Sequence, residues 1–116
     1  MNSSKRILAV DYGDKRTGLA VTDEGGTIAM ALDVIHTKSR AETAREVAKH
    51  CAERQISLIV VGMNYDDDGL PTPQGRKALR FAEAVKEICG VTIAFWDEFN
   101  TTNDAITAAV NAKIGK

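Results

Sequence analysis

Neither sign of charge dominates this chain: 15 Lys and Arg stand against 16 Asp and Glu, for a formal net charge of -1. The isoelectric point is about 6.1. A protein that grips polyanions without specificity is usually basic overall. Any contact with nucleic acid must therefore come from a local basic patch or from metal ions. Cysteine is scarce, with only Cys51 and Cys89. Both fall on the apolar sides of predicted helices and are expected to be reduced core thiols, not a disulfide or a metal site. No apolar run reaches membrane-spanning length, and no basic segment with an apolar core and cleavage site opens the chain. Cytoplasm is the expected location. Repeats and low-complexity segments are also missing. What is present is 44% apolar and 27% charged composition over 116 residues, which suits one compact domain with a real core.

The most informative stretch is residues 7 to 23, Ile-Leu-Ala-Val-Asp-Tyr-Gly-Asp-Lys-Arg-Thr-Gly-Leu-Ala-Val-Thr-Asp. An apolar strand ends in Asp11, a turn rich in glycine and charge follows, and a second apolar strand begins. Strands are predicted over about 6–12, 17–22, 27–36, 57–62 and 91–96. The first three, joined by short links, must form an antiparallel meander. Ser39-Arg-Ala-Glu42 is a capping-box pattern that opens a helix whose inward face is Ala44, Val47, Ala48 and Cys51. Thr72-Pro73 caps a second helix, with Ala78, Phe81, Ala82, Val85 and Ile88 inward and Gly90 as its stop. Thr101-Thr102 can cap a last helix over about 103–112. The order βββαβαβα predicts an α/β domain in which strands 4 and 5 run parallel to strand 1. Strands 1, 4 and 5 carry the purest apolar runs and are expected at the centre. The carboxyl ends of such strands are where α/β sheets place their sites.

An acid at the end of a buried strand is costly unless something cationic sits beside it. Asp11 fits that description, against the plainer reading of an acid that caps its turn. Asp97 and Glu98 follow an equally apolar strand, against the plainer reading of charges favoured by a helix N-terminus. Carboxylates brought together on adjacent parallel strands repel each other. A hard divalent cation, Mg²⁺ or Mn²⁺, removes the conflict and can activate water against a phosphodiester. Lys15 and Arg16 sit in the first turn, where they either clamp phosphate or merely keep the surface soluble. Arg76, Lys77 and Arg80 open the second helix, with the 76 and 80 side chains on one face. They are the one dense basic cluster near the proposed edge, although a solvated helix face explains them more simply. Asp66-Asp67-Asp68-Gly69 reads as a plain turn, since it lacks the terminal glutamate of a calcium loop. His36 and His50 have no ligand-like spacing. Phe95 and Trp96 are expected in the core.

Three segments together resemble the YqgF (RuvX-like) family of the RNase H-like superfamily. The first runs from Leu8 through Asp11, Gly13, Lys15, Arg16 and Gly18 to Asp23. The second is Ile59-Val-Val-Gly62-Met, then Asp68-Gly69 and the helix with Phe81-Ala-Glu83-Ala84. The third is Asp97-Glu98 followed by Thr101-Thr102-Asn-Asp104-Ala105. The resemblance implies a single RNase H-like domain over residues 1–116 with a five-stranded mixed sheet. It implies a metal-dependent nuclease, either a Holliday-junction resolvase or the enzyme that matures the 5′ end of 16S ribosomal RNA. Asp11 and Glu98 would hold Mg²⁺ or Mn²⁺, with Asp97 close by, and the partner would be structured RNA or branched DNA. A resolvase role would need a homodimer. Three departures stand out. Phe99 replaces the arginine that follows Asp-Glu in the family. Gly62-Met63-Asn64 replaces the usual Gly-Leu-Pro. The family's third catalytic aspartate, on a further helix, has no counterpart before Lys116.

Two other functions use the same residues. The fold could be kept without turnover, as a module that binds nucleic acid or a protein. Asp-x-Gly-x-x-x-x-Gly hairpins also open the actin and sugar-kinase fold, but those proteins close two such domains around a nucleotide.

Overall fold

The computed structural model describes residues 6–23 and 29–97. Seven elements follow in the order β1 (Ile7–Asp11), β2 (Arg16–Thr22), β3 (Ala29–His36), α1 (Arg40–Arg54), β4 (Leu58–Met63), α2 (Pro73–Ile88) and β5 (Thr92–Asp97). The expected final helix and the turn at Glu24-Gly25-Gly26 lie outside the described residues.

The strands form one sheet in the order β3-β2-β1-β4-β5. β1, β2 and β3 are the antiparallel meander, while β4 runs parallel to β1 and β5 parallel to β4. The predicted mixed sheet is therefore present, with one correction. β5 is an edge strand, and β4 lies between it and β1. An apolar run marks a strand whose face is covered, and an edge strand under a helix carries the same run as a central one. Phe95, expected in the core, is accordingly 42% exposed.

Strand alternation sends two sets of side chains to opposite faces. Leu8, Val10, Leu19, Val21, Ile59, Val61 and Met63 pack with Ala44, Val47, Cys51, Ala78, Phe81, Ala82 and Val85. Both helices thus cover one face, where the main core forms. On the other face Ala9 and Ala20 pack with Ile7, Ala29 and Trp96. The small residues at positions 9 and 20 let Trp96 lie close to the sheet.

The helix starts follow the sequence signals. Ser39 caps α1 by accepting from the Glu42 backbone N–H at 3.1 Å, and its hydroxyl donates to the Glu42 carboxylate at 3.1 Å. Thr72 caps α2 by accepting from the Gly75 N–H at 3.1 Å, with Pro73 in the first turn. The helix ends differ from expectation. α1 closes on Gln55 in the left-handed region, at φ 55°. Gly90 is not a left-handed stop: Cys89 is the cap, extended at φ -130° and ψ 153°, and its N–H donates to the Val85 carbonyl. The chain turns from there toward β5 through extended backbone, without a left-handed residue. Ile88, expected inward, is 48% exposed at the end of the last turn. Cys51 is buried, Cys89 is half-buried, and both are free thiols. Burial pushes the Cys51 thiol up to about 12, and the neighbouring Cys89 adds to the rise.

Candidate active site at the carboxyl ends of β1, β4 and β5

Asp11 is the last residue of β1, the middle strand of the sheet. Leu8 and Val10 point to the helices, so Asp11 takes the opposite face with Ala9. The turn that follows is tightly built. A Cβ on Gly13 would stand 2.5 Å from the Arg16 carbonyl oxygen, so only glycine fits there. Tyr12 stacks on Phe81 of α2, with ring centroids 4.4 Å apart and planes inclined by 17°. Its carbonyl accepts from the Gln74 side chain at 2.9 Å. Desolvation pushes the Tyr12 phenol above its usual value; Asp14 adds to the rise, and Arg40 and Lys77 oppose it.

β4 brings Gly62, Met63 and then Asn64 to the same rim. Val10 lies opposite Val61, which puts Asp11 level with Gly62. The Asn64 carbonyl accepts from the Thr72 N–H at 3.0 Å and from the Thr72 hydroxyl at 3.3 Å. Gly75 presses against that carbonyl so closely that a Cβ would be 2.4 Å from it. The first turn of α2 therefore holds the ends of both β1 and β4.

Asp97 ends β5 opposite Met63. It is two strand spacings from Asp11, roughly 10 Å between backbones, and not on a neighbouring strand as expected. Its face differs too. Ile93 joins the helix-side core and Trp96 the opposite cluster, so alternation gives Asp97 the helix side. There it lines an open cleft of about 590 Å³ with Tyr65, Asp66, Asp67 and Gly69. Glu98 lies outside the described residues, as do Phe99, Thr101, Thr102 and Asp104. Among the described residues no group of three or more His, Cys, Asp or Glu side chains could hold a metal ion.

Two buried polar atoms near this rim, Asn64 Oδ1 and Trp96 Nε1, have no hydrogen-bond partner among the described residues. Trp96 pairs with Gly62 in the sheet and so stands level with Asp11. Nothing in the sequence marks either atom; only packing shows that it is orphaned. An unpartnered buried carbonyl oxygen just past the strand that neighbours Asp11 is the kind of hard donor that Mg²⁺ or Mn²⁺ takes, so these two residues fit such an ion.

The cations divide into two groups. Lys15 and Arg16 are exposed in the β1–β2 turn, where the Lys15 carbonyl accepts from the Thr37 N–H at 2.9 Å and Arg16 pairs with His36. Arg76, Lys77 and Arg80 are exposed on α2. Lys77 binds both carboxylate oxygens of Asp14, at 2.9 and 3.1 Å, which ties α2 to the turn after Asp11. Arg76 donates to the Pro71 carbonyl at 3.2 Å. The acidic loop is a turn, as expected: Asp66 Oδ1 accepts from the N–H groups of Asp68 and Leu70, and Gly69 has φ 79°. His50 contacts Arg54 one turn along α1.

This sheet, with its meander, its two parallel strands and an acid ending the central strand, defines an RNase H-like protein. The fold resembles that of Thermus thermophilus RuvC, solved in complex with a Holliday junction substrate. The TM-score is 0.59 at 14% identity, covering 96% of this chain and 79% of that one. Residues 5–116 match the RuvX family, described as Holliday junction resolvase. Relatives that bear the name "Putative pre-16S rRNA nuclease" include one from Thermoanaerobacter pseudethanolicus, 37% identical over 86% of this chain and 72% of its own length. Another, from Clostridium botulinum, is 34% identical over 96% of this chain and 81% of its own. The chain belongs to the RuvX (YqgF) family.

Proposed function

We propose that this chain is a divalent-metal-dependent nuclease that hydrolyses phosphodiester bonds in structured nucleic acid in the cytoplasm. The names of its relatives point to pre-16S rRNA as substrate, with the Holliday junction of the RuvC complex as the comparison. The observation that carries the reading is Asp11, at the tip of the central strand, with an orphaned buried amide oxygen just past the end of the next strand and exposed cations beside the adjoining turn.

On this reading Asp11 and Glu98 would hold Mg²⁺ or Mn²⁺. Asp97 is left to the acidic cleft beside Tyr65. When bound, the cation acidifies a water and offsets charge that builds on the phosphodiester. Lys15 and Arg16 steady the phosphates that flank the cleaved bond. Arg76 and Arg80 extend that contact along α2, while Lys77 divides its charge between phosphate and Asp14.

The reading predicts that Mn²⁺ raises the melting temperature. At a hundredfold excess over Kd the stabilisation is about 2.7 kcal/mol. Asp11→Asn should remove this shift and lower metal-dependent cleavage of precursor rRNA at least about a hundredfold. Cleavage that survives in Asp11→Asn overturns the site. A second reading, a binding module without turnover, is favoured by Phe99 where the family carries arginine. Binding of precursor rRNA with no Mn²⁺-dependent cleavage would select it.

A further inference from the structure

We propose that Asn64 supplies its side-chain amide oxygen as a further ligand of the cation held by Asp11, a role that rests on the nuclease reading above. In β4, Ile59, Val61 and Met63 pack on the helix side. Alternation gives Gly62 the face of Asp11, and past the strand end Asn64 stands between Met63 and Tyr65, both of which pack on the helix side. Asp11 is level with Gly62, so Asn64 stands two residues beyond it, about 6.6 Å along the strand direction. Asp11 ends β1 and Asn64 directly follows the end of the neighbouring strand β4, and the start of α2 clamps both chain ends. Thr72 holds the Asn64 carbonyl and Gln74 holds the Tyr12 carbonyl.

The side-chain oxygen itself is buried and accepts from no donor among the described residues. A buried acceptor left without a donor is costly, and native folds rarely keep one without a reason. A cation beside Asp11 supplies the missing partner. The chemistry also suits what the site lacks. Among the described residues no three His, Cys, Asp or Glu side chains gather around an ion. A neutral oxygen raises the donor count without adding repulsion to Asp11.

The test is Mn²⁺ binding, measured by titration calorimetry on the whole chain without nucleic acid. Wild type should bind saturably and Asp11→Asn should lose that binding. Asn64→Leu, which removes the oxygen, should raise Kd about tenfold. Asn64→Asp, which keeps an oxygen and adds charge, should bind at least as tightly as wild type. It also guards against a folding defect in the leucine variant. Melting without metal should be no lower in Asn64→Leu, because no hydrogen bond is lost. If Asp11→Asn loses Mn²⁺ while both Asn64 variants keep the wild-type Kd, the ligand role is wrong and the nuclease reading stands. If wild type shows no Mn²⁺ binding that depends on Asp11, the nuclease reading falls and the Asn64 role falls with it.

Discussion

Replacing Gly75 by alanine sets two physical effects against each other. Gly75 is the third residue of α2, and an exposed glycine-to-alanine change within a helix usually stabilises by about 1 kcal/mol. Here the new methyl would stand 2.4 Å from the Asn64 carbonyl oxygen and 3.3 Å from Pro71 Cβ. Ordinary carbon–oxygen approaches are about 3.3 Å, so one of the two backbones must move by roughly 0.9 Å. Neither is free to do so cheaply. The same carbonyl accepts two hydrogen bonds from Thr72, and the N–H of Gly75 is the one that the Thr72 hydroxyl caps. Overpacking of this kind costs about 1–3 kcal/mol. Weakening the cap and the carbonyl bonds adds about 1 kcal/mol each. The net expectation is a loss of about 2–4 kcal/mol after the helix propensity gain is subtracted. Urea unfolding measures this directly, and the melting temperature should drop by roughly 4 °C per kcal/mol. Gly75→Ala as stable as wild type, or more so, would refute the close approach of α2 to the end of β4. The placement of Asn64 would then need revision.

The other expectations are simpler. Lys77→Met should change stability by less than about 1 kcal/mol, because its ion pair with Asp14 is solvent-exposed on both sides. The same variant should weaken binding of precursor rRNA and flatten its salt dependence, as seen in filter binding from low to moderate salt. The Cys51 thiol has a folded-state value raised to about 12 from 9.0. Its contribution is therefore fully present below pH 9 and is lost as pH rises toward 12, at up to about 1.4 kcal/mol per pH unit. Tyr12, raised by desolvation from 10.0, acts in the same direction. Denaturant midpoints taken between pH 8 and 11 should fall, and the fall should be shallower in Cys51→Ala.

Local signals were legible where one residue type has one physical use. Ser39 and Thr72 cap their helices because a hydroxyl before a helix can satisfy a backbone N–H that would otherwise lack a partner. Ala44, Val47, Ala48 and Cys51 are buried because their spacing leaves them no other face. Asp11 was visible as an acid closing an apolar strand. What stayed hidden depends on how elements meet in space. The apolar run of β5 could not reveal that β4 would come between it and β1. Nor could it show that Phe95 would lie on an edge. Gly90 carried the composition of a helix stop, but a chain that leaves α2 extended has no use for a left-handed residue. Asn64 looked like a change in a loop. Its buried oxygen acquires meaning only from the packing of α2 over the strand end.

Tyr12 has one more consequence. Its ring lies on Phe81 and its carbonyl is held by Gln74, so the peptide that carries Asp11 is anchored from the adjoining residue before anything binds. A guest arriving at that tip meets a carboxylate whose backbone is already in place. Little ordering entropy remains to be lost there, and affinity would then be governed chiefly by how readily the guest sheds its hydration shell.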